Sequence, residues 1–361
     1  MKKMVGAALV GVVALTAAAC GEAPEDSASG SGSSSSAGGG DFTACMVTDA
    51  GGVDDRSFNQ SAYEGLTALE DSEGIGVTLL ESSSEADYGP NLAQTTSGDC
   101  GITVTVGFLL ADATAEAATA NPDQDFALID STVEPALDNV KPLLFDTAQA
   151  SFLAGYAAAG MSQTDTVATF GGVNIPSVTV FMDGFADGVA AWNEARGEDV
   201  TLLGWDKAAQ DGSFTGDFDN QANGQALTET FIQQGADIVM PVAGPVGLGA
   251  AAAAQAAGNV KIIGVDSDWY ESASQYAPIV LTSVVKEIDA AVEDVTNAAI
   301  AGEYSSEAYV GTLENGGVGI APFHDFDADV PADLKSELEA LQAQITSGEL
   351  VIESPSAPSA S

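Results

Sequence analysis

The chain predicts an α/β protein of two lobes, each a parallel sheet with helices on both faces, with a ligand cleft between the lobes. Short apolar runs alternate with helical stretches almost throughout, which is the pattern of parallel sheets covered by helices. Ten such strands over about 260 residues are more than one sheet usually carries, so they divide into two. The chain also echoes itself. Phe126-Ala-Leu-Ile-Asp130-Ser131 and Ile262-Ile-Gly-Val-Asp266-Ser267 both read as buried strands ending in Asp-Ser, and each would bring a carboxylate to the carboxyl edge of its sheet.

The elements follow in order. Met46 and Val47 lie in a first strand, 44–48, and Ala62, Leu66 and Leu69 mark the apolar face of a helix over 58–72. Strands at 76–80, 102–107 and 126–129 alternate with helices at 89–96 and 111–119. A strand at 143–145 runs into an Ala-rich helix, 147–161. Strands at 166–170, 200–204, 237–242, 261–265 and 279–284 then alternate with helices at 178–195, 221–234, 246–257 and 286–301. A last helix from Pro331 to Ser347 has Leu334, Leu338 and Leu341 spaced for one buried face. The first lobe is expected at 41–146 plus 268–302 and the second at 147–267 plus 303–352, with crossings near Asp146, Ser267 and Tyr304 forming a hinge. Residues 353–361, rich in Pro, Ser and Ala, read as a disordered tail.

The amino end is a different kind of sequence. Lys2 and Lys3 precede an apolar run from Val5 to Ala19, too short to span a bilayer, which needs about 20 residues. Residues 1–20 therefore read as an export signal. Thr16-Ala-Ala-Ala-Cys20-Gly21 resembles a lipobox, with Ala17 where leucine is usual, so Cys20 is expected to be lipidated and to hold the protein on the extracytoplasmic face of the cell membrane. Residues 21–40 contain Ser, Gly, Ala, Pro and acids but no large apolar side chain. They cannot repay the entropy of ordering and read as a flexible tether with a reach of roughly 25 Å.

Charge excludes some partners. The 361 residues carry 53 Asp and Glu against 9 Lys and Arg, a formal net charge of −44. Such a surface repels nucleic acid. A saline habitat and a lineage bias toward acidic exported proteins both account for it.

Chemistry beyond binding finds little support. Asp54-Asp55 are neighbours in a polar loop and do not point at one target. Pro241-Val-Ala-Gly-Pro-Val-Gly-Leu-Gly249 follows a strand and opens a helix, but lacks the endings and spacing of phosphate loops. It reads as a close-approach loop in which Gly244 lets a ligand touch backbone N–H groups. The single histidine, His324, lies far along the chain and reads as a surface or packing residue. No metal site, cofactor site or catalytic residue is expected, and no nucleophile–base arrangement stands out.

The richest stretch runs from Val47 to Leu66: Val-Thr-Asp-Ala-Gly-Gly-Val-Asp-Asp-Arg-Ser-Phe-Asn-Gln-Ser-Ala-Tyr-Glu-Gly-Leu. A strand enters a loop with Asp49, a glycine pair and an aromatic, and a helix leaves it, at the sheet edge where small ligands bind. This run closely resembles the signature of the basic membrane protein family of bacterial substrate-binding lipoproteins, whose best understood members bind purine nucleosides. The resemblance covers roughly residues 42–352. It is strongest at 46–66 and at 279–289, which contains Leu281-Thr-Ser-Val-Val-Lys-Glu-Ile-Asp289. This chain departs from the family's name in being acidic.

The resemblance implies the type I periplasmic-binding-protein fold. It also implies a monomeric receptor that binds a nucleoside, purine favoured, and presents it to the permease and ATPase of an ABC-type importer. A sugar or other small-molecule receptor on the same fold, and an extracytoplasmic sensor or adhesin, are the alternatives. By family pattern the base is clamped by one aromatic from each lobe. Phe58, followed by Asn59, matches the first. Phe214 and Phe218 compete for the second, and counting back from Gly224 favours Phe218. Asp49, Asp130 and Asp266 close the site, with Asp268 the rival of Asp266, and Gly244 contributes backbone. Lys286 and Arg56, cations at strand-to-helix junctions, are expected to meet ligand hydroxyls or a nearby carboxylate. Asp55 is placed in the exposed part of the motif. Cys45 and Cys100, an even pair in an oxidising compartment, are expected to form a disulfide because the first and third strands of such a lobe are neighbours.

Overall fold

The computed structural model describes residues 42–358. The export signal, Cys20, the tether and residues 359–361 lie outside the described residues. The first lobe begins with β1 (Thr43–Val47), α1 (Phe58–Glu73), β2 (Gly76–Leu80), α2 (Tyr88–Ser97), β3 (Ile102–Val106), α3 (Ala111–Ala120), β4 (Asp125–Ile129) and β5 (Val140–Phe145). The second contains α4 (Thr147–Met161), β6 (Thr166–Gly171), α5 (Pro176–Arg196), β7 (Thr201–Leu203), a small hairpin of β8 (Trp205–Asp206) and β9 (Asp211–Gly212), α6 (Gln221–Gln233) and β10 (Ile238–Val242). It continues through α7 (Val246–Ala257), β11 (Lys261–Asp266), the single turn α8 (Trp269–Ser272) and β12 (Val280–Lys286). The chain ends with α9 (Ile288–Ala301), β13 (Tyr309–Gly311), β14 (Val318–Ile320) and α10 (Ala332–Thr346).

The two six-stranded sheets match position by position: β13-β5-β4-β3-β1-β2 in the first, β14-β12-β11-β10-β6-β7 in the second. All neighbours in the first sheet are parallel, and only β14 runs antiparallel, against β12. Central strands such as β3 (Ile-Thr-Val-Thr-Val) and β10 are buried along their whole length. That is why they read as unbroken apolar or β-branched runs rather than as alternating ones. The echo at Asp130 and Asp266 is now explained, because β4 and β11 hold the same place in the two sheets.

Three crossings join the lobes, and two differ from expectation. The chain leaves β5 at Asp146 and enters α4, which packs on α5 of the second lobe. It does not return at Ser267. β11 and β12 lie side by side in the second sheet, so 268–286 belongs with that lobe rather than the first, and the return comes at Glu287. α9 then packs on α1, and β13 adds to the edge of the first sheet beside β5, so 303–311 does not belong to the second lobe and Tyr304 is no crossing. The third crossing is the turn between β13 and β14. β13, three residues at the edge of the first sheet, was not read from the sequence.

The described part of the tail, 353–358, departs from its reading as disordered. The Ser354 hydroxyl donates to Asp183 Oδ2 at 2.6 Å, and Ser356 and Thr179 share a hydrogen bond at 2.7 Å. Hydroxyl-rich composition here serves a surface of polar partners on α5. Cys45 and Cys100 form the expected disulfide, with Cα atoms 5.7 Å apart, across the neighbouring strands β1 and β3.

Candidate ligand-binding cleft

The site is built from the first turn of α1 outward. Asp55 opens that turn. Its carboxylate accepts from the backbone N–H groups of Ser57 (2.9 Å), Asn59 (2.7 Å) and Gln60 (3.0 Å), satisfying donors that a helix start leaves free. Asp55 is 2% exposed, not in an exposed part of the loop as its neighbours suggested. An acid two residues before a serine and four before an asparagine, just ahead of a helix, is the signal that could have placed it. Burial pushes its carboxyl up to about 6, against the pull of those hydrogen bonds.

With the turn fixed, Phe58 and Asn59 line the cleft. The Asn59 amide donates to Asp49 Oδ1 at 2.7 Å and to Asp55 Oδ2 at 3.1 Å. Both its hydrogens are then used, and its Oδ1 is buried with no protein partner. Asp49 is held by this amide and by the N–H of Gly51 at 3.1 Å. Burial raises its carboxyl above the usual range despite both bonds, and the charge of Asp266 adds to the effect. Gly107, at φ 109°, passes so close that a Cβ there would stand 3.1 Å from Asp49 Oδ2 and 3.4 Å from the Phe58 ring.

The second centre is Lys286 at the end of β12. Its ammonium lies 2.5 Å from Asp130 Oδ2 and 3.4 Å from Asp266 Oδ1, with its side chain only 2% exposed. It also sits 4.9 Å from the ring centroid of Phe181, 5.1 Å from Phe58 and 5.8 Å from Phe145. Burial works against this charge, but Asp130 and Asp266 outweigh it and hold the ammonium's pKa above its ordinary value.

A cavity lies between these groups, and all eight residues expected to bind ligand line it: Asp49, Phe58, Asn59, Asp130, Phe218, Gly244, Asp266 and Lys286. Phe218 reaches it from the loop before α6. There Asp217 accepts from the Asn220 N–H at 2.8 Å and the Asn223 amide at 2.7 Å, while the Phe218 carbonyl accepts from the Val246 N–H at 3.3 Å. Gly244 lines the wall at φ 51°. The rivals lie elsewhere. Phe214 packs edge-on against Trp205, centroids 6.1 Å apart, and Asp268 caps α8 and pairs with His324 Nε2 at 2.6 Å. His324 stacks on Tyr270, in keeping with a packing role.

Arg56 does not meet the cavity. It turns outward and donates to the Ser272 carbonyl. Sequence reading missed Ile175, Ser177 and Phe181 on the second-lobe wall. On a helix rich in buried apolar residues, Phe181 carries no mark to separate it from the core.

The lining can bind but offers no catalytic pairing. Carboxylates and an orphan amide oxygen dominate its polar part, and its one ammonium is already paired. Donor groups such as hydroxyls and ring N–H are favoured, and a phosphate would meet like charge. Among the described residues, no group of His, Cys, Asp or Glu is arranged to hold a metal ion, and no helix is long and apolar enough to cross a membrane.

A family model described as "ABC transporter substrate-binding protein PnrA-like" matches residues 42–354. A CD4+ T-cell-stimulating antigen of Listeria innocua is 31% identical, over 92% of this chain and 93% of that protein. The ABC transporter nucleoside-binding protein BmpA of Lactococcus lactis is 30% identical, over 96% of this chain and 99% of that protein. Among solved structures, an ABC transporter solute-binding protein from Aeropyrum pernix K1 superposes with a TM-score of 0.79 at 24% identity, covering 87% of this chain and 94% of that one.

Proposed function

The chain belongs to the PnrA-like family of ABC transporter substrate-binding proteins, and on that premise we propose that it binds a nucleoside, purine ones favoured, between its lobes as the receptor of an importer. One observation carries the ligand class. Two aromatic rings from different lobes, Phe58 and Phe218, line a single cavity whose polar lining is mostly carboxylates and the orphan amide oxygen of Asn59. A flat base with N–H donors and a ribose with hydroxyls complements that set. The relative named a nucleoside-binding protein supports the same reading. On this reading the protein is a monomer anchored through a lipidated Cys20 on the extracytoplasmic face, and a membrane permease and ATPase receive its ligand.

Calorimetry with inosine, guanosine, adenosine, guanosine monophosphate and free ribose tests the proposal. Binding of the nucleosides, with the monophosphate much weaker, is the expected result. Ribose or another sugar binding as tightly as the nucleosides would replace this reading with the sugar-receptor one. If none binds, the nucleoside assignment fails while membership of the family stands.

A further inference from the structure

Outside the ligand cavity, the two lobes meet at a second place that ligand chemistry does not use. Arg56, in the loop between β1 and α1, has a left-handed backbone with φ 59°, a conformation unusual for a residue with a side chain. It is fixed to the second lobe at both ends. Its Nη1 donates to the Ser272 carbonyl at 3.0 Å, and its own carbonyl accepts from the Ser267 hydroxyl at 3.0 Å. Ser267 in turn shares a hydrogen bond with the Ser272 hydroxyl at 2.9 Å. The next residue continues the seam, with Ser57 Oγ within 3.0 Å of both the Val265 carbonyl and Asp266 Oδ2.

We propose that Arg56 is a positioning residue: with Ser267 and Ser272 it forms a latch that holds the lobes closed over the cavity and sets how fast bound ligand escapes. The geometry favours a latch over a binding contact for three reasons. Arg56 is exposed and does not line the cavity, its partners are neutral groups of the opposite lobe, and the contact joins the loop that follows Asp266 to the loop that precedes Phe58. Opening the lobes must break both Arg56 bonds together, because one residue makes them. A contact present only in the closed form slows dissociation and leaves encounter with the open form alone.

Stopped-flow measurement of inosine release and association tests this on Arg56→Ala and Ser267→Ala, with small-angle scattering of the same proteins without ligand. Alanine has no easier access than arginine to the left-handed backbone, so Arg56→Ala removes the guanidinium without relaxing the turn. Each variant is expected to release ligand about three- to tenfold faster, the scale of one exposed hydrogen bond, with association changed less than about twofold. Arg56→Lys, which keeps a donor, should recover part of the loss. Unchanged release in both alanine variants would overturn the latch. The kinetic arm rests on the nucleoside reading, but the scattering arm does not. If the wild type binds no nucleoside, a larger radius of gyration in Arg56→Ala still supports the latch and an identical one overturns it. Should Arg56→Ala fail to fold, Ser267→Ala carries both measurements.

Discussion

Asp130 and Asp266 end equivalent strands of the two sheets, both in left-handed backbone (φ 61° and 67°), and both reach the same ammonium, that of Lys286. A non-glycine residue in this conformation costs about 1–3 kcal/mol, and such strain gathers where a side chain must be aimed. Here the aim is shared: each lobe sends one carboxylate, from the same register, to a cation between them.

Removing that cation should be costly. Lys286→Met leaves Asp130 and Asp266 close together and buried without a counter-charge, a change that typically destabilises by about 3–5 kcal/mol. The loss should shrink on acidification, because burial raises the Asp130 carboxyl and its protonation relieves the repulsion. Urea unfolding at pH 7 and pH 5 checks both statements; a variant as stable as wild type at pH 7 would show that the pair contributes no net stability.

The three phenylalanines should separate by role. Stacking on an aromatic face is worth about 1–3 kcal/mol per base, so Phe58→Ala and Phe218→Ala should each weaken nucleoside binding roughly 5–150-fold. Phe214→Ala, facing Trp205, should lower the unfolding midpoint and leave affinity nearly unchanged. Calorimetry and thermal unfolding on the same samples give both readouts. A silent Phe218→Ala with a damaging Phe214→Ala would reverse the assignment.

Asp55 should leave a mark on the pH dependence of stability. Its carboxyl titrates at about 6 in the fold against 3.8 ordinarily. Between those values the unfolded chain gives up the proton first. The contribution of this group is therefore fullest below about pH 4 and declines as pH rises towards 6. Unfolding free energies measured from pH 4 to 7 should fall more steeply for the wild type than for Asp55→Asn, which cannot titrate. Parallel curves would mean that the carboxyl is not shifted.

Stability should rise with salt. A chain with a net charge of −44 concentrates like charge on folding, and about 1 M salt screens it within roughly 3 Å. Melting temperature in NaCl from low to molar concentration is the measurement, and a flat or falling trend would count against self-repulsion.

The strong periodic elements and the strand-end acids Asp130 and Asp266 were legible because each rests on local pattern: buried strands are apolar throughout, and strand-end acids followed by helix starts mark a sheet edge. Phe58, Asn59, Phe218 and Lys286 came instead from the resemblance to a known family, and all eight expected residues line one cavity. What was not legible depends on pairing between distant segments. Whether 280–286 joins one sheet or the other is decided by β11 beside it, not by its own residues. Asp55 looks like one more surface acid until three N–H groups at the start of α1, those of Ser57, Asn59 and Gln60, turn back to it, and Arg56 looks like a ligand contact until the second lobe supplies its acceptor.

The exchange of helices between lobes has a consequence for how the chain can be made. α1 is covered by α9, whose backbone comes so near that a Cβ on Gly65 would stand 2.5 Å from the Asp289 carbonyl, and the first sheet is completed only by β13. A nascent chain that has delivered the first 150 residues therefore carries a lobe with an open edge and a bare helix. The first lobe is not one continuous piece of chain, and the last fifth of the polypeptide, from α9 on, completes it. Final compaction of the first lobe therefore waits for the carboxyl end of its own chain.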